Sequence, residues 1–336
     1  MDRLDNGVLF LANCYSCSRK NLFMLITLKA RIIACTATII GSVLLCVTLY
    51  EELLAFSLKN DFSSHVLLIP LISAGLIFYR RAKIFSDVRF SIPTGGFIAF
   101  IGGTLLVLFH LRKFGLSAAD VLSAKVLAIS IFWIGVFILY FGGKCFRKAV
   151  FPLLFLLFMV PIPEVLLKSV IPVLQRGTAD MTEFLFKITG TPHYRNDLTF
   201  VLPRISIEIA AQCSSIRSSL ALLITSLLAA HLLLQTTSRK FVLAAFAVPI
   251  AMFKNAVRIT MLSLLSVHID IRFLKDSDLH RDGGILFYIL ALILMLPILL
   301  LLRRSERKGD KDGRQQAADV KAQASGKHSL QRTPKI

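Results

Sequence analysis

Long apolar runs separated by short polar segments dominate the pattern of this chain. Eight of these runs approach the roughly 20 residues that an α-helix needs to cross a bilayer. Their predicted limits are Ala30–Tyr50, Ser64–Tyr79, Phe90–Leu111, Val121–Phe141, Ala149–Leu167, Ile216–Leu234, Phe241–Leu265 and Gly284–Leu302. The pattern therefore predicts an all-α, polytopic integral membrane protein with about eight transmembrane helices.

The longest stretch without a predicted span, Lys168–Gln212, lies between the fifth and sixth runs. Before it, Pro161 and Pro163 interrupt the fifth run, and proline breaks a helix because it cannot donate a backbone hydrogen bond. Residues 170–188 have the pattern of an amphipathic helix at a membrane surface. Residues 198–209 alternate in polarity, which predicts turns and short strands.

Three regions follow from this pattern. Residues 1–29 form a cytoplasmic N-terminal segment, residues 30–302 form one transmembrane domain, and residues 303–336 form a polar, basic tail that we expect to be disordered in the cytoplasm. In the third run, the pairs Gly95–Gly96 and Gly102–Gly103 predict close packing of that helix against another.

The distribution of basic residues predicts how the chain is oriented in the membrane. Of the 336 residues, 55% are hydrophobic, only 18% are charged, and the formal net charge is +19. In a soluble protein this excess would suggest nucleic acid, but here the basic residues cluster in short loops beside apolar runs, the bias of cytoplasmic loops. We therefore expect no nucleic-acid partner and a multi-pass protein of the bacterial inner membrane, with both termini cytoplasmic. The long segment 168–212 and the loop 266–282 then face the periplasm; only Arg112 and Lys113 oppose this orientation.

Cysteine usage points to one position. The chain has six cysteines, and their spacing forms neither a disulfide framework nor a convincing metal motif. Cys213 alone has polar, potentially reactive neighbours, because it lies with Ser214 and Ser215 just before the sixth apolar run. Polar groups at that depth are costly and mark functional sites, although a small apolar role for the thiol and a helix-spacing role for the serines are the plainer alternatives.

The predicted topology brings Cys213, Arg258 and His280 to the same face of the membrane. Cys213 precedes the sixth helix, Arg258 lies in the seventh with Asn255 one turn before it, and His280 precedes the eighth near Gly284. A thiolate is a nucleophile, histidine can act as general acid and base, and arginine can stabilise an oxyanion. The individual alternatives are lipid pairing for Arg258 and an interfacial loop position for His280. Together the three residues favour cysteine-based acyl transfer, without a cofactor or metal.

The chain resembles the exosortases and archaeosortases over roughly residues 60 to 300. The resemblance rests on Cys213-Ser214-Ser215, Asn255-Ala256-Val257-Arg258 and His280-Arg281-Asp282-Gly283-Gly284. Supporting segments are Ser64-His65-Val66-Leu67-Leu68-Ile69-Pro70 and Met159-Val160-Pro161-Ile162-Pro163-Glu164. Ser215 stands where the family usually has glycine. Serine there is costly if the position needs a left-handed backbone and harmless if it is helical.

The resemblance implies a membrane cysteine protease or transpeptidase, similar in action to sortases. It would cleave C-terminal sorting signals (PEP-CTERM-like: a short motif, a hydrophobic helix and a basic tail) of exported client proteins, in connection with exopolysaccharide production. Its partners would be these clients and membrane lipids.

A second class stays open: a membrane transporter or polysaccharide-assembly component without peptidase activity. Embedded arginine and proline-broken helices are typical of transporters too. The chain has no internal repeat, and its carboxylates Glu164 and Glu208 are isolated, which disfavours this class. Rhomboid-like serine proteases and metalloproteases are disfavoured because neither Gly-x-Ser-x-Gly nor His-Glu-x-x-His occurs.

Overall fold

The computed structural model describes residues 27–59, 65–111, 115–203, 205–209, 216–269 and 283–330, and these are mostly helical. They fall into two compact units, which divide between Leu167 and Lys168. The sequence pattern predicts one transmembrane domain from residue 30 to 302 and does not indicate this division into two units.

The first unit consists of helices joined by short turns. Its helices are α1 (Thr27–Leu45), α2 (Val47–Lys59), α3 (Ile69–Tyr79), α4 (Arg81–Ile84), α5 (Ile92–Leu111), α6 (Ala118–Lys148) and α7 (Val150–Phe155). Two 3₁₀ turns, Val66–Leu68 and Leu156–Met159, precede α3 and follow α7.

Helices α5 and α6 pack closely through small residues. A Cβ atom on Gly95 would lie 2.2 Å from the backbone nitrogen of Leu139, and one on Gly102 would lie 2.5 Å from that of Phe132. A Cβ on Gly96 or Gly103 would meet nothing within 4 Å. Only one glycine of each predicted pair therefore faces the packed interface, and the other points away from it.

The break that the prolines predict is present. The chain leaves the helical conformation at Val160, and residues 161–163 have no regular structure before α8 (Glu164–Ile188) begins. The backbone N–H of Glu164 donates to Asp120 Oδ1 at 2.7 Å, which satisfies one of the free donors at the start of α8. The segments before and after the break form a sharply bent pair that could count as one broken span.

The second unit contains most of α8, a small sheet and three further helices. The strands β1 (Tyr194–Asn196), β2 (Thr199–Val201) and β3 (Ser206–Glu208) pair antiparallel in that order. The helices are α9 (Ile216–Leu233), α10 (Thr237–His268) and α11 (Gly283–Leu330). Strands β2 and β3 confirm the short strands that the sequence predicts for residues 198–209, and the three strands add a small sheet to the expected all-α fold.

The eight predicted spans differ in whether the structure gives them a helix long enough to cross a bilayer. Among the described residues, five helices are long and apolar enough to cross a bilayer: Thr27–Leu45, Ile92–Leu111, Ala118–Lys148, Thr237–His268 and Gly284–Arg307. The bent pair makes a sixth if it is one span, and Val66–Tyr79 and Ser218–Leu233 are shorter apolar helices. A polytopic membrane protein is therefore supported with five or six spans, while eight stays a prediction. Helix α11 also continues to Leu330, through most of the tail for which the sequence predicts no regular structure.

Candidate functional site

The predicted site residues divide between described and undescribed parts of the chain. Arg258 and Asn255 lie in α10, and Gly284 is the second residue of α11. Cys213, Ser214, Ser215 and His280 lie outside the described residues. Among the described site residues, the structure brings Asn255 and Arg258 together on α10.

Gly284 is exposed, and a Cβ atom there would meet nothing within 4 Å. The described part of the chain therefore gives no steric reason for glycine at this position.

The middle of helix α10 carries a group of polar residues next to a long apolar stretch. Lys254, Asn255 and Arg258 occupy positions i, i+1 and i+4, a spacing that places them on adjoining parts of one helix surface. Lys254 is only 2% exposed and Asn255 only 1%, whereas Arg258 is half-buried. Two cations thus lie one turn apart near the middle of a helix that is long enough to span the membrane.

Lys254 is a candidate residue that the sequence reasoning missed. Its ammonium donates a hydrogen bond to Ser218 Oγ at 2.5 Å. Within the described part of the chain, Ser218 is the only hydrogen-bonding partner of this ammonium, and no carboxylate pairs with it. A lysine four residues before Arg258 in a predicted span was the available signal, because ionisable side chains inside a membrane are costly and mark sites.

The contact between Lys254 and Ser218 joins two helices. Ser218 lies in the first turn of α9, five residues after Cys213 in the sequence. Lys254 lies in α10, one turn before Arg258. The hydrogen bond therefore fixes the start of the helix that follows the predicted nucleophile against the helix that carries the predicted oxyanion-binding residue.

Helix α10 packs into two apolar clusters, one through residues before Lys254 and one through residues after Arg258. Before it, α10 packs with α9 and α11 through buried residues that are mainly aliphatic: Leu222, Ala230, Leu234, Leu243, Ala247, Ile250, Ala251, Ala291, Met295 and Leu299. After it, Ile259 and Val267 pack against the cluster of α8 and the sheet, which includes Phe186, Phe200 and Ile207. The polar residues Lys254, Asn255 and Arg258 thus lie between two well-packed regions, where substitution of a buried apolar side chain would disturb their position.

Helix α8 approaches α10 near the same level. A Cβ atom on Gly177 would lie 2.7 Å from Met252 Sδ, so a larger residue at this position would require the Met252 side chain to move. The next residue, Thr178, is fully buried, and its hydroxyl has no hydrogen-bond partner among the described residues; the same holds for Thr260 in α10. Buried hydroxyls without partners are uncommon and provide polar groups for a water molecule or a substrate.

Arg195 fastens the small sheet to α8. One of its guanidinium nitrogens, Nη1, lies 2.8 Å from Asp180 Oδ1 and 2.7 Å from Glu183 Oε2, and its Nε donates to the carbonyl of Asp197 at 2.8 Å. Hydrogen bonds from Lys187 and Arg195 lower the pKa of Glu183 to about 2.

The described part of the chain contains no group of three or more histidine, cysteine or acidic residues that could hold a metal ion.

A family comparison identifies the class of protein. The model of the transmembrane exosortase family matches residues 57–297, well over half of the chain. The chain belongs to the exosortase family. The matched segment contains Cys213, Arg258 and His280 as well as Lys254 and Ser218. No curated protein and no solved structure gives a significant match.

Membership in the exosortases indicates a sortase-like processing role in a membrane. It agrees with the apolar helices in assigning a multi-pass membrane protein. The resemblance that the sequence motifs indicate is therefore confirmed at the level of the family.

Proposed function

We propose that this exosortase is a membrane cysteine peptidase or transpeptidase with Cys213 as its nucleophile. The observation that carries the proposal is the family match over residues 57–297, which spans all three predicted catalytic residues. Its clients are exported proteins that end in a PEP-CTERM-like signal: a short motif, a hydrophobic helix and a basic tail. It acts at the periplasmic face of the bacterial inner membrane, in connection with exopolysaccharide production.

The first half-reaction forms a thioester. The thiolate of Cys213 attacks the carbonyl carbon of the scissile peptide bond, and the electron pair of the carbonyl moves to its oxygen. Arg258 donates hydrogen bonds to this oxyanion, and its planar guanidinium suits the task because it stays charged and directs two donors at once. The tetrahedral intermediate then expels the amine of the C-terminal fragment, and His280 supplies the proton that the amine takes up.

The second half-reaction releases the client. Water or the amine of an acceptor attacks the thioester carbonyl, and His280 accepts the proton of the attacking group. Collapse of the second tetrahedral intermediate returns the thiolate of Cys213. Water gives a free carboxylate at the new C-terminus, whereas an amine gives an amide that attaches the client to another molecule.

Lys254 acts in this proposal as a positioning residue. Its hydrogen bond to Ser218 holds the first turn of α9 beside α10, one turn from Arg258. The ammonium also adds a second positive charge next to the guanidinium, in surroundings of low dielectric where charge acts strongly on a developing oxyanion. Asn255, which is 1% exposed, lies between these two cations in the sequence.

The buried cations also suit the second class, a transporter or polysaccharide-assembly component. Ionisable residues inside a membrane mark transport pathways as well as catalytic sites. The hydroxyls of Thr178 and Thr260, which lack partners among the described residues, are consistent with such a pathway. A transporter does not require a thiol, so the two classes differ in their response to loss of Cys213.

The experiment uses the full-length chain, co-expressed with an epitope-tagged protein from the same genome that ends in a short motif, a hydrophobic helix and a basic tail. We expect the client, tagged on its exported part, to shift to lower mass when its C-terminal fragment is removed. Cys213→Ala and Cys213→Ser should abolish this shift while the enzyme still accumulates in the membrane. Cys46→Ala is the matched control, because Cys46 is a free, half-buried cysteine in the described part of the chain.

A covalent enzyme–client adduct that neutral hydroxylamine cleaves would identify the thioester. Client processing by Cys213→Ser at the wild-type rate would overturn the nucleophile assignment. Processing by the enzyme with no client adduct in any variant would remove the acyl-enzyme step.

A further inference from the structure

A cavity of about 430 Å³ lies at one end of α6, within the first unit. Three cations and one carboxylate line it: Arg89, Lys144 and Arg147 with Asp87. Phe90 and Phe141 contribute an apolar wall. The combination of excess positive charge with aromatic surface is independent of the proposed catalytic residues.

The loop before α5 is attached to the end of α6 by backbone contacts. Gly142 has a φ of +85°, which interrupts the helical conformation inside α6. The backbone N–H of Arg89 donates to the carbonyl of Phe141 at 3.2 Å, and that of Ser91 donates to the carbonyl of Leu139 at 3.3 Å. A Cβ atom on Gly142 would lie 2.4 Å from the carbonyl oxygen of Arg89, so glycine is needed for this approach. These backbone hydrogen bonds and the close approach at Gly142 therefore fix the backbone that forms the cavity wall.

Side-chain contacts fix two of the charges. Lys144 Nζ lies 2.7 Å from Asp87 Oδ2, and Arg89 Nε lies 3.5 Å from Asp87 Oδ1. The hydrogen bond from Lys144, together with nearby positive charge, lowers the pKa of Asp87, so this carboxylate is ionised at neutral pH. One carboxylate faces two cations, and the lining retains a net positive charge.

Arg147 is the cation that Asp87 does not neutralise. It is exposed, and it makes no hydrogen bond or ion pair with another residue in the described part of the chain. Arg31 adds a further charge beside the aromatic wall, since its guanidinium lies 4.1 Å from the centre of the Phe90 ring. The site thus presents guanidinium groups, which suit the planar, bidentate recognition of phosphate.

We propose that this cavity binds the phosphate of an anionic lipid headgroup. The cavity opens at the end of a membrane-spanning helix, where headgroups lie, and its aromatic wall suits the glycerol and the first carbons of the acyl chains. Basic pockets at the cytoplasmic ends of transmembrane helices bind anionic headgroups, and each cation near the membrane surface contributes about a fivefold change in affinity. By the positive-inside distribution, these loops face the cytoplasmic leaflet.

The test measures binding of a fluorescent short-chain phosphatidylglycerol to the full-length protein in uncharged detergent, by anisotropy. We expect Arg147→Gln to weaken binding about fivefold and Arg89→Gln with Arg147→Gln to weaken it further. Asp87→Asn should strengthen binding, because it removes the carboxylate that opposes the ligand. Lys83→Gln is the matched control: Lys83 is an exposed basic residue of the same region that does not line the cavity.

Unlabelled phosphatidylglycerol should displace the probe, whereas phosphatidylcholine and inorganic phosphate should not displace it at equal concentration. Equal displacement by phosphatidylcholine would overturn the charge-based recognition, and equal displacement by inorganic phosphate would make this a site for a small anion. Unchanged affinity in Arg147→Gln, Arg89→Gln with Arg147→Gln and Asp87→Asn would show that the cavity is not the binding site. A client-processing assay is not involved, so this test is independent of the proposed peptidase activity.

Discussion

The ammonium of Lys254 donates a hydrogen bond to the hydroxyl of Ser218 across the interface of α10 and α9. This contact connects the helix of Arg258 to the helix that follows Cys213 in the sequence. Lys254 is 2% exposed, and a buried ammonium in the middle of a helix long enough to span the membrane is costly unless hydrogen bonds compensate for its lost hydration. The proposed reaction gives the ammonium of Lys254 a role beside Arg258. The following variants separate that role from a purely structural contact.

Lys254→Met should reduce client processing about tenfold or more while leaving the thermal stability unchanged or higher. Methionine has a similar volume, and replacing a buried charge by an apolar side chain is often neutral or stabilising. Ser218→Ala should lower the stability, because it leaves the ammonium without its acceptor. In the double variant the loss of stability should largely disappear, which a double-mutant cycle of unfolding temperatures would measure.

Lys240→Met is the matched control for Lys254, since it removes a lysine from the first turn of the same helix. Wild-type processing by Lys254→Met, with only the stability altered, would assign Lys254 to packing alone.

Arg258→Lys should be nearly as damaging as Arg258→Ala, with processing reduced about a hundredfold in each. Loss of one donor to an oxyanion costs roughly that factor, and the point charge of lysine does not reproduce the planar guanidinium. The measurement is the rate of client processing at equal amounts of membrane-inserted enzyme. If lysine restores most of the activity, Arg258 provides general positive charge or pairs with lipid phosphate instead.

His280→Ala should slow both thioester formation and the reaction of Cys213 with a thiol-specific probe at neutral pH. A general base next to the thiol increases the fraction of the reactive thiolate. Labelling is measured between pH 6 and 9 in a chain whose other cysteines are replaced, and Cys213→Ala in that background gives the zero level. Equal labelling rates over this range in wild type and variant would restrict His280 to substrate binding or to protonation of the leaving amine.

The orientation of the chain gives a test that does not involve a client. Reporter fusions after Leu111, Asp197 and Ser277 should be periplasmic, and fusions after Lys83, Lys148, Lys240 and Lys308 should be cytoplasmic, because lysine and arginine concentrate in cytoplasmic loops. The readout is a pair of reporters active on opposite sides of the membrane. A cytoplasmic signal at Asp197 or Ser277 would separate Cys213 and His280 from the predicted face and contradict the mechanism.

Arg195→Gln should lower the thermal stability in a manner that depends on pH. Hydrogen bonds from Lys187 and Arg195 lower the pKa of Glu183 from 4.5 to about 2. A depressed carboxylate pKa gives stability that is complete above pH about 4.5 and is lost as the pH falls through about 2. The difference in unfolding temperature between wild type and variant should therefore shrink over this interval. Arg176→Gln, at an exposed position of the same helix, should show no such convergence.

Much of the architecture follows from local pattern. Most of the long apolar runs form helices in the described part of the chain, because a helix satisfies its backbone hydrogen bonds without partners from elsewhere. The break at residues 160–163 follows from the missing donors of Pro161 and Pro163. The family is also readable from the motifs around Cys213, Arg258 and His280, and the match over residues 57–297 agrees with it.

The sequence by itself thus determined the class of protein, the location of most helices and the break at residues 160–163, while the reactive residues stay a prediction. Tertiary structure decided which of two adjacent glycines meets a neighbouring helix, as with Gly95 and Gly96, and which residue accepts the hydrogen bond of Lys254. These outcomes depend on how each helix is rotated and how far it is shifted against its neighbour. Periodicity within one helix does not specify either quantity, since both arise from the packing of side chains between segments that are distant in sequence.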